Sequence, residues 1–351
     1  MKLKNIRQLT VILTLTGIII LWCNFCLPSS IFAHNTAADK WQNAYLLRTL
    51  YQHTGPVASV ATNPDGKTFV SGGRDGIIRI WDLPTGKLEK TISADPRGIG
   101  SVTISSNGQQ IISTSRGQNI NIWDGQTGER IKTLGKDLKP REYKTYSPYK
   151  ITLAYSTYPV AISSNGKTLV SGRPDNGIKV WNLETGELTY NLTGHDSPIY
   201  SVAISPDDQI LVSGSGDNTV KVWNLPTGEL LYNLTGHTYP VNAVAIAPDG
   251  KTLVSGSADA TIKVWNLSTG ELLYTLTGHT YAVMSVAISA DGQTIASGGA
   301  DKTIKIWNGE TGNLVRTLTD SHSKVYSLTF SQDGHSLISG GGDGRVKIWQ
   351  F

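Results

Sequence analysis

Seven tryptophans set a beat in this chain. Trp81, Trp123, Trp181, Trp223, Trp265, Trp307 and Trp349 follow one another at 42 residues, except for an interval of 58 between Trp123 and Trp181. A fixed period in the forties, each copy closing on a short β-branched run and a Trp, marks an array of one repeated supersecondary unit. Within one period, Val241 to Thr277, the chain reads VNAVAIA, PDG, KTLVSGS, ADA, TIKVWNL, STG, ELLYTLT. Most of the turns between these four runs carry Asp-Gly or Thr-Gly, which accept the positive φ of tight hairpins. Each period is therefore expected to be a four-stranded antiparallel sheet. Helical periodicity is absent after the first 33 residues, so the body is expected to be all-β. A single such sheet cannot bury both faces, and stacking seven of them in a ring solves that.

The segment LTGHTYPVNAVAIAPDGKTLVSGSADATIKVWNL resembles a WD40 repeat: Gly236-His237 opens it, Ser255 lies ten residues before Trp265 and Asp259 six before. The same spacing recurs as His195, Ser213, Asp217, Trp223, as His279, Ser297, Asp301, Trp307, and as His53, Ser71, Asp75, Trp81, where Gln52 replaces the usual Gly. The resemblance covers about residues 45–351 and implies a seven-bladed β-propeller. Trp-Asp is literal only at Trp81-Asp82 and Trp123-Asp124; four repeats have Trp-Asn, and the last has Trp349-Gln350. In the family the His, Ser, Asp and indole N–H form a hydrogen-bonded chain inside each blade. Charge-assisted bonds of this kind contribute roughly 1.5–3 kcal/mol each, and stranding one buried partner costs more than removing both. Three blades depart from the set. Blade 2 has Asp95 in place of the His and Gly117 in place of the Asp, blade 3 has Leu153, and blade 7 has Ser321 with His322 one position late. Blades 2, 3 and 7 are expected to be the weaker sectors.

Only Gln350 and Phe351 follow the last Trp, so the final blade needs an outermost strand from elsewhere. YLLRTLYQHTG, Tyr45 to Gly55, matches ELLYTLTGHT, Glu271 to Thr280, so Tyr45–Leu50 should close the ring. Closure removes two open sheet edges. Ahead of it, residues 1–33 have a basic start, an apolar stretch from Leu9 to Leu21 and a polar close ending at Ala33. This segment reads as a signal peptide or, if uncleaved, an N-terminal membrane anchor, and it would deliver the propeller outside the cytoplasm, periplasmic, secreted or facing outward. Residues 34–44 are then a linker, and the style of the repeats suggests a bacterial host.

Net charge is +4, of which Lys2, Lys4 and Arg7 supply three, leaving +1 for the remainder. A nearly neutral domain has no electrostatic footprint for nucleic acid. Both cysteines, Cys23 and Cys26, precede the repeats, so the propeller is indifferent to redox compartment. Gly-Lys-Thr at 66–68, 166–168 and 250–252 lacks the first Gly of a phosphate loop and leads into a strand, so it is a hairpin turn. Three glycosylation sequons, at Asn191, Asn233 and Asn266, lie at strand ends. His53, His195, His237 and His279 each sit in a separate blade and cannot converge on a metal or a substrate. No cofactor, metal or catalytic residue is expected.

Two features rise above the scaffold. One is an insertion of 16 residues at about 135–152, which carries Tyr143, Tyr146 and Tyr149 among lysines and Arg141. It is either a tolerated surface insertion or a binding element. The other follows from the resemblance: positions three and five after the blade His and the one before the turn Asp are typical contact points on the top face. Carried over, these are Arg74, Arg116, Tyr158, Tyr200, Asn242, Met284, Lys324 and Tyr326, with Tyr239 and Tyr281 beside them. A docking surface and a plugged channel are the two readings. The favoured function is a monomeric, non-enzymatic scaffold that binds a protein or peptide on the top face and touches a membrane only through an uncleaved N-terminal segment. An envelope carbohydrate or polymer binder is the alternative, and a propeller enzyme a third.

Overall fold

The first complete period forms Val57–Thr62, Thr68–Gly73, Ile77–Asp82 and Leu88–Ser93, four strands paired in sequence order and all antiparallel. The structure, a computed structural model, describes residues 40–115, 119–135, 158–173 and 175–351. Among these residues are 28 strands in seven four-stranded sheets. The innermost strands of successive sheets lie side by side, and the first neighbours the last, which closes a seven-bladed β-propeller. Its last blade is composite: Tyr45–Leu50 pairs antiparallel with Val346–Gln350, from Tyr45 opposite Gln350 to Leu50 opposite Val346.

The core is a set of layers between blades. Val70, Ile78 and Ile80 of blade 1 meet Val102, Ile111 and Trp123 of blade 2. Across the closure, Ile338, Val346 and Ile348 meet Val57, Phe69 and Trp81. Each such aliphatic side chain contributes about 1.5–3 kcal/mol on burial. Second strands are buried on both faces, because each blade is covered on both sides. Close approach is permitted by a small residue, and at Gly256 an added Cβ would come within 2.6 Å of Val283 Cγ1 in the next blade.

A second tie between blades runs round the outer rim. One side chain from each outermost strand donates to a backbone carbonyl at the next blade's outer hairpin: Arg48 to Pro84 at 3.4 Å, Lys90 to Gln126, Lys132 to Glu184 at 3.5 Å, Tyr190 to Leu225, Tyr232 to Ser268 at 2.6 Å and Tyr274 to Gly309. The seventh is Arg316, and its acceptor is Gln42 O at 2.8 Å. Blade 7 has no continuous outer hairpin, because its last two strands come from opposite ends of the chain. A 3₁₀ turn, Trp41–Asn43, supplies the carbonyl instead.

This turn corrects the expectation of a linker at 34–44 over its described end, residues 41–44. Trp41 is 1% exposed, and its ring lies 5.5 Å from that of Phe330 and 5.1 Å from that of Phe351. An indole of this size packed on the buried Phe330 and the partly buried Phe351 gains more from burial than from solvation. Residues 1–33, the earlier part of the linker and nearly all of the insertion lie outside the described residues. Among the described residues, no helix is long and apolar enough to cross a membrane.

Candidate partner-binding face

Each polar network begins at the indole of its blade. In blades 1, 4, 5 and 6 the Trp Nε1–H donates to a serine, at 2.8 Å for Trp81 to Ser71 and 2.9 Å for Trp223 to Ser213, Trp265 to Ser255 and Trp307 to Ser297. The serine Oγ lies 2.8 Å from Nε2 of His53, His195, His237 or His279. On the other side Nδ1 is 2.7 Å from Asp217, 2.8 Å from Asp259, 2.7 Å from Asp301 and 3.0 Å from Asp75. A carboxylate can only accept, so in blades 4 to 6 Nδ1 carries the proton and Nε2 accepts from the serine hydroxyl. The four sets chosen by spacing thus come together within their own blades.

Burial and these bonds push the charges in opposite directions. Desolvation lowers the pKa of His237 and His279 despite their aspartates, and the rings stay neutral. Burial alone would raise the aspartates. Hydrogen bonds from His195 and Thr219 outweigh it at Asp217, those from Thr261 and His237 at Asp259, and those from His279 and Thr303 at Asp301, so all three are held below the ordinary range. Among the described residues no cluster of His, Cys, Asp and Glu could hold a metal ion.

The other three blades keep the Trp-to-Ser bond and replace the rest. Trp123 donates to Ser113 at 2.8 Å, Trp181 to Ser171 at 3.1 Å and Trp349 to Ser339 at 2.9 Å. In blade 2 the buried Asp95 accepts two bonds from the Arg97 guanidinium, at 2.9 and 2.8 Å, and one from the Ser115 hydroxyl at 2.6 Å. Sequence spacing missed this substitute, although an Asp two residues before an Arg was a signal for it. Gly117 and Leu153 lie outside the described residues. In blade 7 Ser321 is buried where the His would be, a void of about 10 Å³ remains beside Ser339 and Lys347, and the Lys347 ammonium turns to Asp320 O.

With their polar groups so engaged, the blades present one concave face. A cavity of about 530 Å³ lies at one mouth of the central channel. Its walls are the starts of the innermost strands, the connections between blades and the turns between second and third strands, so it opens on the face that carries those connections. Of the residues expected there, Arg74, Tyr200, Asn242, Met284, Lys324 and Tyr326 line it. The Arg74 guanidinium stands 5.9 Å from the Tyr326 ring, and the Asn242 amide donates to Val283 O at 2.9 Å, bridging two blades. Tyr239 lines the cavity at 60% exposure, and Tyr281 is 67% exposed.

Tyr158 does not belong to this surface. It is 5% exposed, because the innermost strand of blade 3 begins only at Val160 and Tyr158 precedes it, its carbonyl held by the Thr114 hydroxyl at 2.6 Å. The neighbouring Pro159 and Val160 line the cavity instead, and position counting could not find them. Arg116, Tyr143, Tyr146 and Tyr149 lie outside the described residues.

Comparison with known proteins matches the WD40 pattern, described as "WD domain, G-beta repeat", to residues 44–82, 86–124, 159–182 and 312–350. The chain belongs to the WD40-repeat family. Residues 199–328 match a second family pattern, described as the fourth β-propeller of WDR90. The WD40 repeat at 44–82 runs from the outermost strand of one blade through three strands of the next, so sequence repeat and blade are out of phase. That offset produces the composite last blade.

Among curated WD40 relatives, the small ribosomal subunit protein RACK1z of Arabidopsis thaliana is 45% identical over 53 residues, 15% of this chain and 16% of that protein. The nuclear distribution protein PAC1 of Arthroderma otae is 28% identical over 169 residues, 48% of this chain and 36% of the relative. The periodic tryptophan protein 2 homolog of Dictyostelium discoideum is 26% identical over 162 residues, 46% of this chain and 16% of the relative. The matched stretches therefore span well under half of each relative. These relatives are eukaryotic, and they lend no support to the bacterial, exported character expected from the sequence.

Proposed function

We propose that this WD40 propeller is a non-enzymatic scaffold that holds a protein or peptide partner on the face bearing the channel-mouth cavity. The observation that carries the reading is the cavity itself: about 530 Å³, within the range of natural binding pockets, and edged by Tyr200, Tyr239 and Tyr326 on rigid strands and their connections. Tyrosines anchor interfaces at low entropic cost, and strand-borne positions need little ordering on binding. The buried histidines, each locked in its own blade, offer no convergent acid, base or nucleophile. The name of RACK1z places that relative in a ribosomal subunit, an assembly of many chains, which accords with a scaffold role here.

Residues 1–33 support placing this scaffold outside the cytoplasm, delivered by a cleaved or retained N-terminal segment. A photo-crosslinking residue at Tyr239 or Tyr281, compared with one at Leu230 on the outer rim, tests the docking face. Adducts confined to the first two positions are expected. Equal capture at Leu230 would remove the face from consideration.

A further inference from the structure

Among the described residues that line the channel-mouth cavity are two cations, Arg74 and Lys324, and no carboxylate. Among the described residues the turn aspartates behind this face are engaged, Asp75 by His53 and Arg79, Asp175 by Arg173, Asp217 by His195 and Thr219, Asp259 by His237 and Thr261, Asp301 by His279 and Thr303, and Asp343, next to the Lys324 segment, by the Arg345 guanidinium at 3.7 Å. Arg74 comes from blade 1 and Lys324 from blade 7, its neighbour across the closure, and Tyr326 stands with them. On the far side of the ring, blades 4 and 5 contribute Tyr200 and Tyr239. The cavity therefore has a cationic sector facing an aromatic one.

We propose that the cavity takes an acidic peptide segment, an inference that rests on the docking face described above. An apolar side chain of the peptide inserts beside Tyr200 and Tyr239, and an adjacent Asp or Glu carboxylate meets Arg74 and Lys324. Both parts have a physical basis. Charge-assisted bonds to a guanidinium are short and directional, and inside a concave, partly dehydrated mouth they are screened less than on an open surface. A basic segment would bring like charge into the same space without a carboxylate to receive it, so the cavity selects against it.

The test is selection of random phage-displayed peptides on the full chain, followed by fluorescence anisotropy with synthetic copies of the peptides recovered. Enrichment of Asp or Glu next to Leu, Phe or Met is expected, with binding weakened about tenfold or more in Arg74→Glu/Lys324→Glu and by added salt. A charge-swapped peptide, Lys for each acidic residue, should bind that double variant better than the parent protein, which shows that the variant is folded. Recovered peptides that need Tyr239 but carry no acidic bias would overturn this proposal and leave the docking face standing. Peptides indifferent to Tyr239, Arg74 and Lys324 alike would remove both. Recovery of no peptide, or binding of an RNA oligonucleotide or anionic vesicle through Arg74 and Lys324 in place of acidic peptides, would also overturn it.

Discussion

The guanidinium of Arg79 donates to Asp75 at 3.0 Å, with both side chains buried. In blades 4, 5 and 6 the corresponding carboxylates receive a hydroxyl instead, from Thr219 at 2.7 Å, Thr261 at 2.6 Å and Thr303 at 2.8 Å. Blade 1 has Ile77 at that position, which offers only its backbone N–H, at 3.2 Å. Two substitutions in one repeat have exchanged one donor for another and kept the carboxylate satisfied.

Arg79→Ala should therefore destabilise the protein by about 2 kcal/mol, the cost of taking one charge-assisted bond from a buried carboxylate that keeps its bonds to His53 and to the backbone. Adding Ile77→Thr should recover roughly half of that, because the hydroxyl of the other blades is restored. Urea unfolding of the single and double variants measures both numbers. An Arg79→Ala protein as stable as its parent would show that the ion pair adds nothing.

Ser321→His should stabilise the protein by about 1 kcal/mol, since Ser339, Asp343 and Trp349 already stand at the positions of the other blades. Lys347 would then leave Asp320 O and turn to Thr49, its cross-strand neighbour, as Lys305 turns to Thr317. A fall in the urea midpoint would mean that the void beside Ser321 is too small for the ring.

Loss of the N-terminal clasp should be expensive. Trp41→Ala removes a fully buried indole wedged between Phe330 and Phe351 and should cost about 3–5 kcal/mol. Arg316→Ala, which cuts only the tie to Gln42, should cost about 1 kcal/mol. Deleting Tyr45–Leu50 exposes an unpaired edge of Val346–Gln350 and should yield insoluble protein. A soluble, cooperatively unfolding deletion would show that the strand is dispensable.

Stability should fall on acidification in two stages. Burial holds His237 and His279 below the ordinary histidine value of 6.5 in the folded state, so the unfolded chain binds more protons and stability is lost as pH drops through that value. Asp217, Asp259 and Asp301 lie below 3.8, and their contribution is present above that pH and lost as pH falls through their folded values. Urea midpoints across this range read both stages. A midpoint that stays level below 6.5 would contradict the first.

Hydrogen exchange should be fastest in blade 3, whose innermost strand, Val160–Ile162, forms three register pairs with its neighbour where the other blades form five. Uniform protection round the ring would count against a weak sector there.

The sequence by itself determined what is local. The apolar run Val241–Ile246, glycine at most of the hairpins and the Trp interval specify strands, turns and seven units, because these depend on neighbours a few residues away. The spacing of His237, Ser255, Asp259 and Trp265 likewise marked groups that meet inside one sheet. Only the tertiary structure decided what lies between sheets and across the chain's ends. Trp41 looked like linker and is core, Tyr158 looked like surface and is buried, and Tyr232 and Arg316 reach carbonyls across to the next outer-rim segment. The reason is geometric: these contacts depend on the angle at which one sheet leans on another, which no period within a single sheet encodes.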